Sequence, residues 1–184
     1  MRGSLWLFLA VLGAPLAHAP VLRFDLLPRL KRPIDGGRTL GGERILGDNK
    51  TWRGAAVMVA GVEAATLALH RLPAYRARLP ADVRQASPAL LGALLGLATF
   101  AGELPNSFVK RRLGIAPGRH GGGALGAALT IVDQGDFVLA AWALLAPVYR
   151  LSAREAAAAF ATVAAAHVPI NLAAYALGVR TTPL

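Results

Sequence analysis

Residues 88–104, PALLGALLGLATFAGEL, run without a break into residues 105–114, PNSFVKRRLG. The first stretch carries no charge before Glu103 and approaches the roughly 17–25 helical residues that hydrocarbon requires. The second sets Asn106, Ser107, Lys110, Arg111 and Arg112 at its end. Polar groups beside hydrocarbon are costly unless they serve a site, so this junction of apolar helix and phosphate-like chemistry decides how the rest is read.

Moving outward, the 184 residues are 55% hydrophobic and only 16% charged, with a mean hydropathy of +0.48. That mixture is too apolar for an ordinary soluble domain, and a bilayer is the simplest sink for the surface. Five apolar spans are expected, over Ser4–Leu22, Gly54–Leu69, Pro88–Leu104, Ala124–Tyr149 and Ala156–Val179. The reading is an all-α integral membrane protein, one membrane-embedded domain over 1–184, with its chemistry in the loops. Arg2, the apolar run and Ala17-His18-Ala19 have the pattern of a secretory signal, but the run is span-length and further spans follow, so a retained first helix is expected. No cysteine is present, so thiolate metal sites and cysteine nucleophiles drop out. Oligomeric state has no signature in the sequence.

The net charge of +10 suits anionic lipid and phosphate ligands in so apolar a chain, rather than nucleic acid. If five spans alternate, thirteen of the 20 Lys and Arg residues lie on one side: eight between Arg23 and Arg53, four from Lys110 to Arg119, and Arg180. The positive-inside rule makes that side cytoplasmic, which places both motif loops beside nucleoside triphosphates at the cell (inner) membrane.

In the first of these loops, Gly47-Asp48-Asn49-Lys50-Thr51-Trp52-Arg53-Gly54 gathers two cations, a hydroxyl and amide groups in a compact run able to wrap an oligophosphate. Interfacial snorkelling of Lys50 and Arg53, with Trp52 as a belt residue, explains the same residues structurally. The GxxxxGK[ST] spacing of a Walker loop is absent. In the second, a positive-inside stop accounts for Lys110, Arg111 and Arg112 but not for Glu103 and Asn106 beside them.

Asp133 and Asp136 interrupt the fourth span. Either that span is kinked around a polar cavity, or it begins near Asp133 and Ala124–Val132 is re-entrant. Three residues apart on a helix, they share a face and can hold a hard cation such as Mg²⁺; capping of a helix start is the structural alternative. Glu63, His167 and Asn171 read as interhelical hydrogen-bonding residues.

The run from Ala19-Pro20-Val21-Leu22 through Pro33-Ile34-Asp35-Gly36-Gly37, Arg44 to Gly54, Ser107 to Gly118 and Asp133-Gln134-Gly135-Asp136-Phe137 resembles the CDP-archaeol synthase family. More distantly, Ser107-Phe108-Val109-Lys110-Arg111, His120-Gly121-Gly122 and Asp133 to Asp136 are similar to the signature of CDP-diacylglycerol synthases. Glu103 stands where the family often has aspartate and Asn106 where it often has lysine. The stretch from Arg119 to Val132 is longer and more apolar than the archaeal pattern, as in a bacterial-type branch.

The resemblance implies cytidylyl transfer from CTP to a membrane lipid phosphate, of the archaetidic or phosphatidic acid type, for phospholipid biosynthesis. It further implies Mg²⁺ held by Asp133 and Asp136 with Glu103, phosphates neutralised by Lys110, Arg111 and Arg112 beside Ser107, and a far wall of Lys50 and Arg53. Asp48, Asn49 and Thr51 are candidates for cytidine or ribose contacts. A small transporter using Glu63, or a non-catalytic lipid-binding protein, is the competing class.

Overall fold

The computed structural model describes residues 2–117, 119, 121–176 and 178, and only the backbone of Arg2, His167, Val168 and Ala174. His120 and the last residue of the fifth expected span, Val179, lie outside the described residues. The apolar runs are helices, because within hydrocarbon a chain satisfies its own amides only in a helix or a closed barrel. α1 (Arg2–Leu7), a 3-10 turn (Phe8–Leu12) and α2 (Gly13–Arg23) make the first span. A linker follows, with a 3-10 turn at Pro28–Leu30 and a short antiparallel hairpin of β1 (Thr39–Leu40) and β2 (Glu43–Arg44), Thr39 opposite Arg44. Then come α3 (Trp52–His70), α4 (Pro73–Arg76), α5 (Ala81–Gln85), α6 (Pro88–Arg112), α7 (Gly123–Asp133), α8 (Asp136–Leu144) and α9 (Ala153–Ala176).

Four of these segments are long and apolar enough to cross a membrane, and the α7–α8 pair, bent by 50°, raises the number to five. The protein is therefore an all-α, multi-pass membrane protein. Apolar side chains that a soluble protein would bury, among them Leu97, Ile131 and Leu139, point outward, as lipid-facing residues do.

Two features differ from the sequence-based expectation. The polar run after Glu103 is helical, not a loop: α6 continues through Ser107 and Lys110 to Arg112. The helix carries on through Pro105, three cations suit the negative end of the helix dipole, and the chain turns at Gly114, whose φ of +69° is left-handed. Secondly, the fourth span is interrupted at the aspartates as expected, but Asp133 and Asp136 do not share one continuous helix. Asp133 ends α7, Asp136 begins α8, and the break falls at Gln134-Gly135.

Glycines set how closely the spans approach. A Cβ on Gly13 of α2 would lie 2.1 Å from the Gly61 carbonyl of α3, and one on Gly102 of α6 would lie 2.5 Å from Cα of Phe137 in α8. Without a hydrophobic drive between helices in lipid, such small-residue contacts let the backbones pack. Leu91 and Leu95 of α6, Val62 of α3 and Val138 of α8 fill the core between them.

The linker is organised around one carboxylate. Asp35 accepts hydrogen bonds from the backbone N–H groups of Gly37 (3.0 Å), Leu46 (3.0 Å) and Gly47 (3.1 Å) and from Arg44 Nη2 at 2.6 Å. Burial by itself would raise its pKa, but the Arg44 guanidinium and the three amides outweigh that and hold the carboxyl well below the usual carboxylate range.

Gly102→Ala should lower stability by about 1–3 kcal/mol through overpacking, whereas Gly122→Ala, where a Cβ meets nothing within 4 Å, should be neutral; thermal unfolding in detergent reads the contrast. For Asp35→Asn, a loss of about 2 kcal/mol is expected at neutral pH from the weakened charge-assisted bonds. Because the folded-state pKa is depressed, that contribution is fully present above the unfolded carboxyl pKa of about 3.9. The wild-type advantage should therefore stay flat from neutral pH down to about pH 4 and shrink below it.

Candidate functional site

Glu103, Asn106 and Lys110 fall at i, i+3 and i+7 and so share one face of α6. That face meets the break between α7 and α8, where the close approach at Gly102 brings the backbones together. Lys110 Nζ donates to Asp133 Oδ2, and Asn106 Nδ2 donates both to Asp133 Oδ1 and to the Leu129 carbonyl (3.2 Å). Asp133 is thereby held by two donors from one helix. Across the cavity, Lys50 Nζ donates to Glu103 Oε2 and joins the linker to α6. Asp136 is buried at the start of α8.

These groups stand where a polar recess meets an apolar one. The smaller recess, about 100 Å³, is lined by His18, Asn49, Lys50, Thr51, Phe100 and Glu103. The larger, about 350 Å³, is lined by Glu103, Asp133, Asp136 and His18 at its polar end and by Val11, Ala14, Met58, Phe137, Val163 and Ile170 beyond. His18 and Glu103 belong to both. A further cavity of about 350 Å³ between α6, α7 and α8 touches Asn106 and Asp136 from the other side.

Arg111 is the most informative side chain. It is 4% exposed, and its Nε and Nη1 are buried without a hydrogen-bond partner. A buried, unpaired guanidinium is costly and fits a protein that keeps a place for an anion. It lies beside the glycine-rich loop, since a Cβ on Gly47 would come within 3.8 Å of Arg111 Cδ and 2.9 Å of Pro117. Gly47, with φ of +101°, takes the left-handed turn that lets the loop pass so close.

The other expected site residues are distributed as follows. Ser107 is buried one helical turn before Arg111. Arg112 turns away, donating to the carbonyls of Leu40, Glu43 (3.1 Å) and Arg44, and so fastens the hairpin to α6. The Thr51 hydroxyl caps α3 by accepting from Gly54 N–H at 3.1 Å. Arg53 donates to Asp25 and to the Leu26 carbonyl (3.1 Å). Asp48 is exposed and paired with Arg44, while Asn49, also exposed, borders the smaller recess. Glu63 lies where α3 meets Gly92 of α6, apart from the three cavities described.

Of the residues that sequence reasoning singled out, Lys50 and Glu103 line the smaller recess, Glu103, Asp133 and Asp136 the larger, Lys110 joins them through Asp133, and Arg111 lies against Gly47; Asp35 and His18 were overlooked. Asp35-Gly36-Gly37 was legible as a turn, and aspartate before glycine is the mark of a side chain that bonds its own backbone. His18, read within a possible cleavage signal, had no signal of its own.

Among the described residues, no three His, Cys, Asp or Glu side chains form a ready-made metal cage, Glu103 and Asp133 being drawn onto the two lysines. The donor set nonetheless fits a hard cation, since Glu103, Asp133 and Asp136 put carboxylate oxygens around one cavity.

A family profile described as CarS-like CDP-archaeol synthase matches residues 22–184. The CDP-archaeol synthase of Halobacterium salinarum is 42% identical over 160 residues, covering 83% of each chain. That of Aeropyrum pernix is 39% identical over 161 residues, covering 83% of this chain and 79% of its own. The solved structure of an intramembrane enzyme for archaeal membrane lipids biosynthesis superposes with a TM-score of 0.64 at 30% identity, over 90% of both chains. With a family profile over residues 22–184 and relatives up to 42% identical, this chain belongs to the CDP-archaeol synthase family.

Proposed function

We propose that the site transfers the cytidylyl group of CTP to the phosphate of a membrane lipid, giving a CDP-lipid and pyrophosphate. A lipid phosphate oxygen attacks the α-phosphorus, a new P–O bond forms there, and the bond to the pyrophosphate oxygen breaks. The nucleophile is ionised near neutral pH, so no general base is called for, and catalysis rests on alignment and charge neutralisation.

The observation that carries this reading is the buried Arg111 side chain beside Gly47 of the glycine-rich loop, its Nε and Nη1 without hydrogen-bond partners, where bidentate phosphate binding would satisfy it. Lys50 and Lys110, each resting on a carboxylate, are positioned to move onto phosphate oxygens when the triphosphate enters. Ser107 and Asn49 supply neutral contacts. Asp133, Asp136 and Glu103 would hold Mg²⁺, which when bound supplies charge neutralisation on the phosphates. The apolar recess running from Asp136 to Val163 and Ile170 takes lipid chain, with its phosphate at the carboxylate end.

Arg53, Thr51 and Arg112 serve this site by placing the loop, through Asp25, the α3 cap and the hairpin carbonyls. Asp48 acts through Arg44. The excess of Lys and Arg on the motif side supports an orientation with both motif segments facing the cytoplasm of the cell membrane, where CTP is available. Archaetidic and phosphatidic acids share the reacting phosphate and differ in the chains that the recess must take.

Arg111→Gln should lower kcat/KM for CTP by about 10²–10³-fold while leaving thermal stability unchanged or higher, because the substitution removes an unpaired buried charge. Equal loss of stability and activity would count against an anion-binding role. Chelation with EDTA should abolish incorporation of labelled CTP into extractable lipid in the wild type, and added Mg²⁺ should restore it. Asp136→Asn should remain inactive at any Mg²⁺ concentration if the carboxylate is a ligand. Parallel assays with phosphatidic and archaetidic acid identify the lipid.

A further inference from the structure

The linker leaves α2 as Arg23-Phe24-Asp25-Leu26-Leu27-Pro28-Arg29-Leu30-Lys31-Arg32. Its apolar members Phe24, Leu26, Leu27 and Leu30 are all exposed, Phe24 by 69%. Its cations are exposed as well, and Arg29 and Arg32 have no carboxylate partner among the described residues. The segment begins where the first span ends, at the depth where lipid headgroups lie. Leu27 holds a φ of +56° and Asp25 one of +44°, an unfavourable backbone for a branched, apolar residue. Exposed leucines with interleaved cations at a span end match an anionic leaflet in both polarity and charge.

The same segment is bonded directly to the glycine-rich loop. Trp52 N–H donates to the Arg32 carbonyl at 3.0 Å, and Ile34 N–H to the Lys50 carbonyl at 2.9 Å. Arg53 reaches back to Asp25 and the Leu26 carbonyl. Whatever holds residues 24–32 also holds the backbone of Lys50.

We propose that residues 23–32 form a strap that docks on the anionic headgroups of the surrounding leaflet and, through these backbone bonds, sets the placement of Lys50, so that anionic lipid activates the enzyme. The effect on turnover rests on the cytidylyltransferase reading; the docking does not. A lipid headgroup, not a free phosphate, is the occupant, because the leucines flanking the cations need apolar cover.

The test uses the full chain in nanodiscs of neutral phosphatidylcholine and in nanodiscs with one third phosphatidylglycerol, at fixed substrate lipid. Turnover should rise about fivefold with the anionic lipid, the scale of one to two cations engaged at a charged surface. The double variant Arg29→Gln/Arg32→Gln should keep the neutral-lipid rate and lose the rise. An equal rise in both proteins, no rise in the wild type, or the same rise produced by inorganic phosphate in neutral nanodiscs would each overturn the strap. Amide hydrogen exchange over residues 24–34 provides a readout independent of chemistry: slower exchange in the anionic nanodiscs supports docking, and unchanged exchange refutes it. If no lipid is turned over under any condition, the catalytic reading fails while the exchange measurement still decides the strap.

Discussion

The contact between Lys110 and Asp133 is the constraint on which the rest of the structure depends. Both groups sit at the edge of an apolar helix bundle, where a charge without a counter-charge or hydrogen bonds is strongly disfavoured. Satisfying them draws the end of α6 onto the break between α7 and α8, with Asn106 completing the aspartate's shell and taking the Leu129 carbonyl near the end of α7. The second pair, Lys50 with Glu103, does the same for the linker. Two ion pairs thus place a loop and two helix ends around one cavity.

Those pairs meet only because the spans approach closely. Gly102 against Phe137 and Gly13 against Gly61 leave no room for a side chain, and in lipid such contacts replace the hydrophobic drive of a soluble core. The same economy acts at the break itself, where a Cβ on Gly135 would strike the Phe160 ring of α9 at 2.5 Å. Close packing and charge pairing are therefore coupled: a wider α6–α8 separation would leave Lys110 and Asp133 facing hydrocarbon.

Against that satisfied background, Arg111 stands out. Its neighbours in sequence are both engaged, Lys110 by a carboxylate and Arg112 by three carbonyls of the hairpin. The Arg111 Nε and Nη1 are buried without hydrogen-bond partners beside the glycine-rich loop, where an anion would satisfy them. The larger recess runs from Glu103, Asp133 and Asp136 to Val163 and Ile170, so a polar headgroup and its hydrocarbon tail fit one continuous space.

The all-α membrane class was legible from the sequence, because span length and composition answer to the bilayer alone. Lys50, Glu103, Lys110, Arg111, Asp133 and Asp136 could be singled out as candidates in the same way, since charges beside apolar runs are conspicuous in one dimension. The sequence could not show that α6 runs on to Arg112, and although it marked an interruption at the two aspartates it left a kink and a re-entrant segment open, because the bend depends on packing such as that of Gly135 against Phe160. It could not divide the cations either: Arg53 and Arg112 look the same as Lys50 in the chain, and only the positions of Asp25, the hairpin carbonyls and Glu103 in space decide that the first two are tied up in architecture while Lys50 lines a recess. Residue type and hydropathy are local properties, written in the sequence; the partner of a charge is a property of distance, and distance belongs to the tertiary structure.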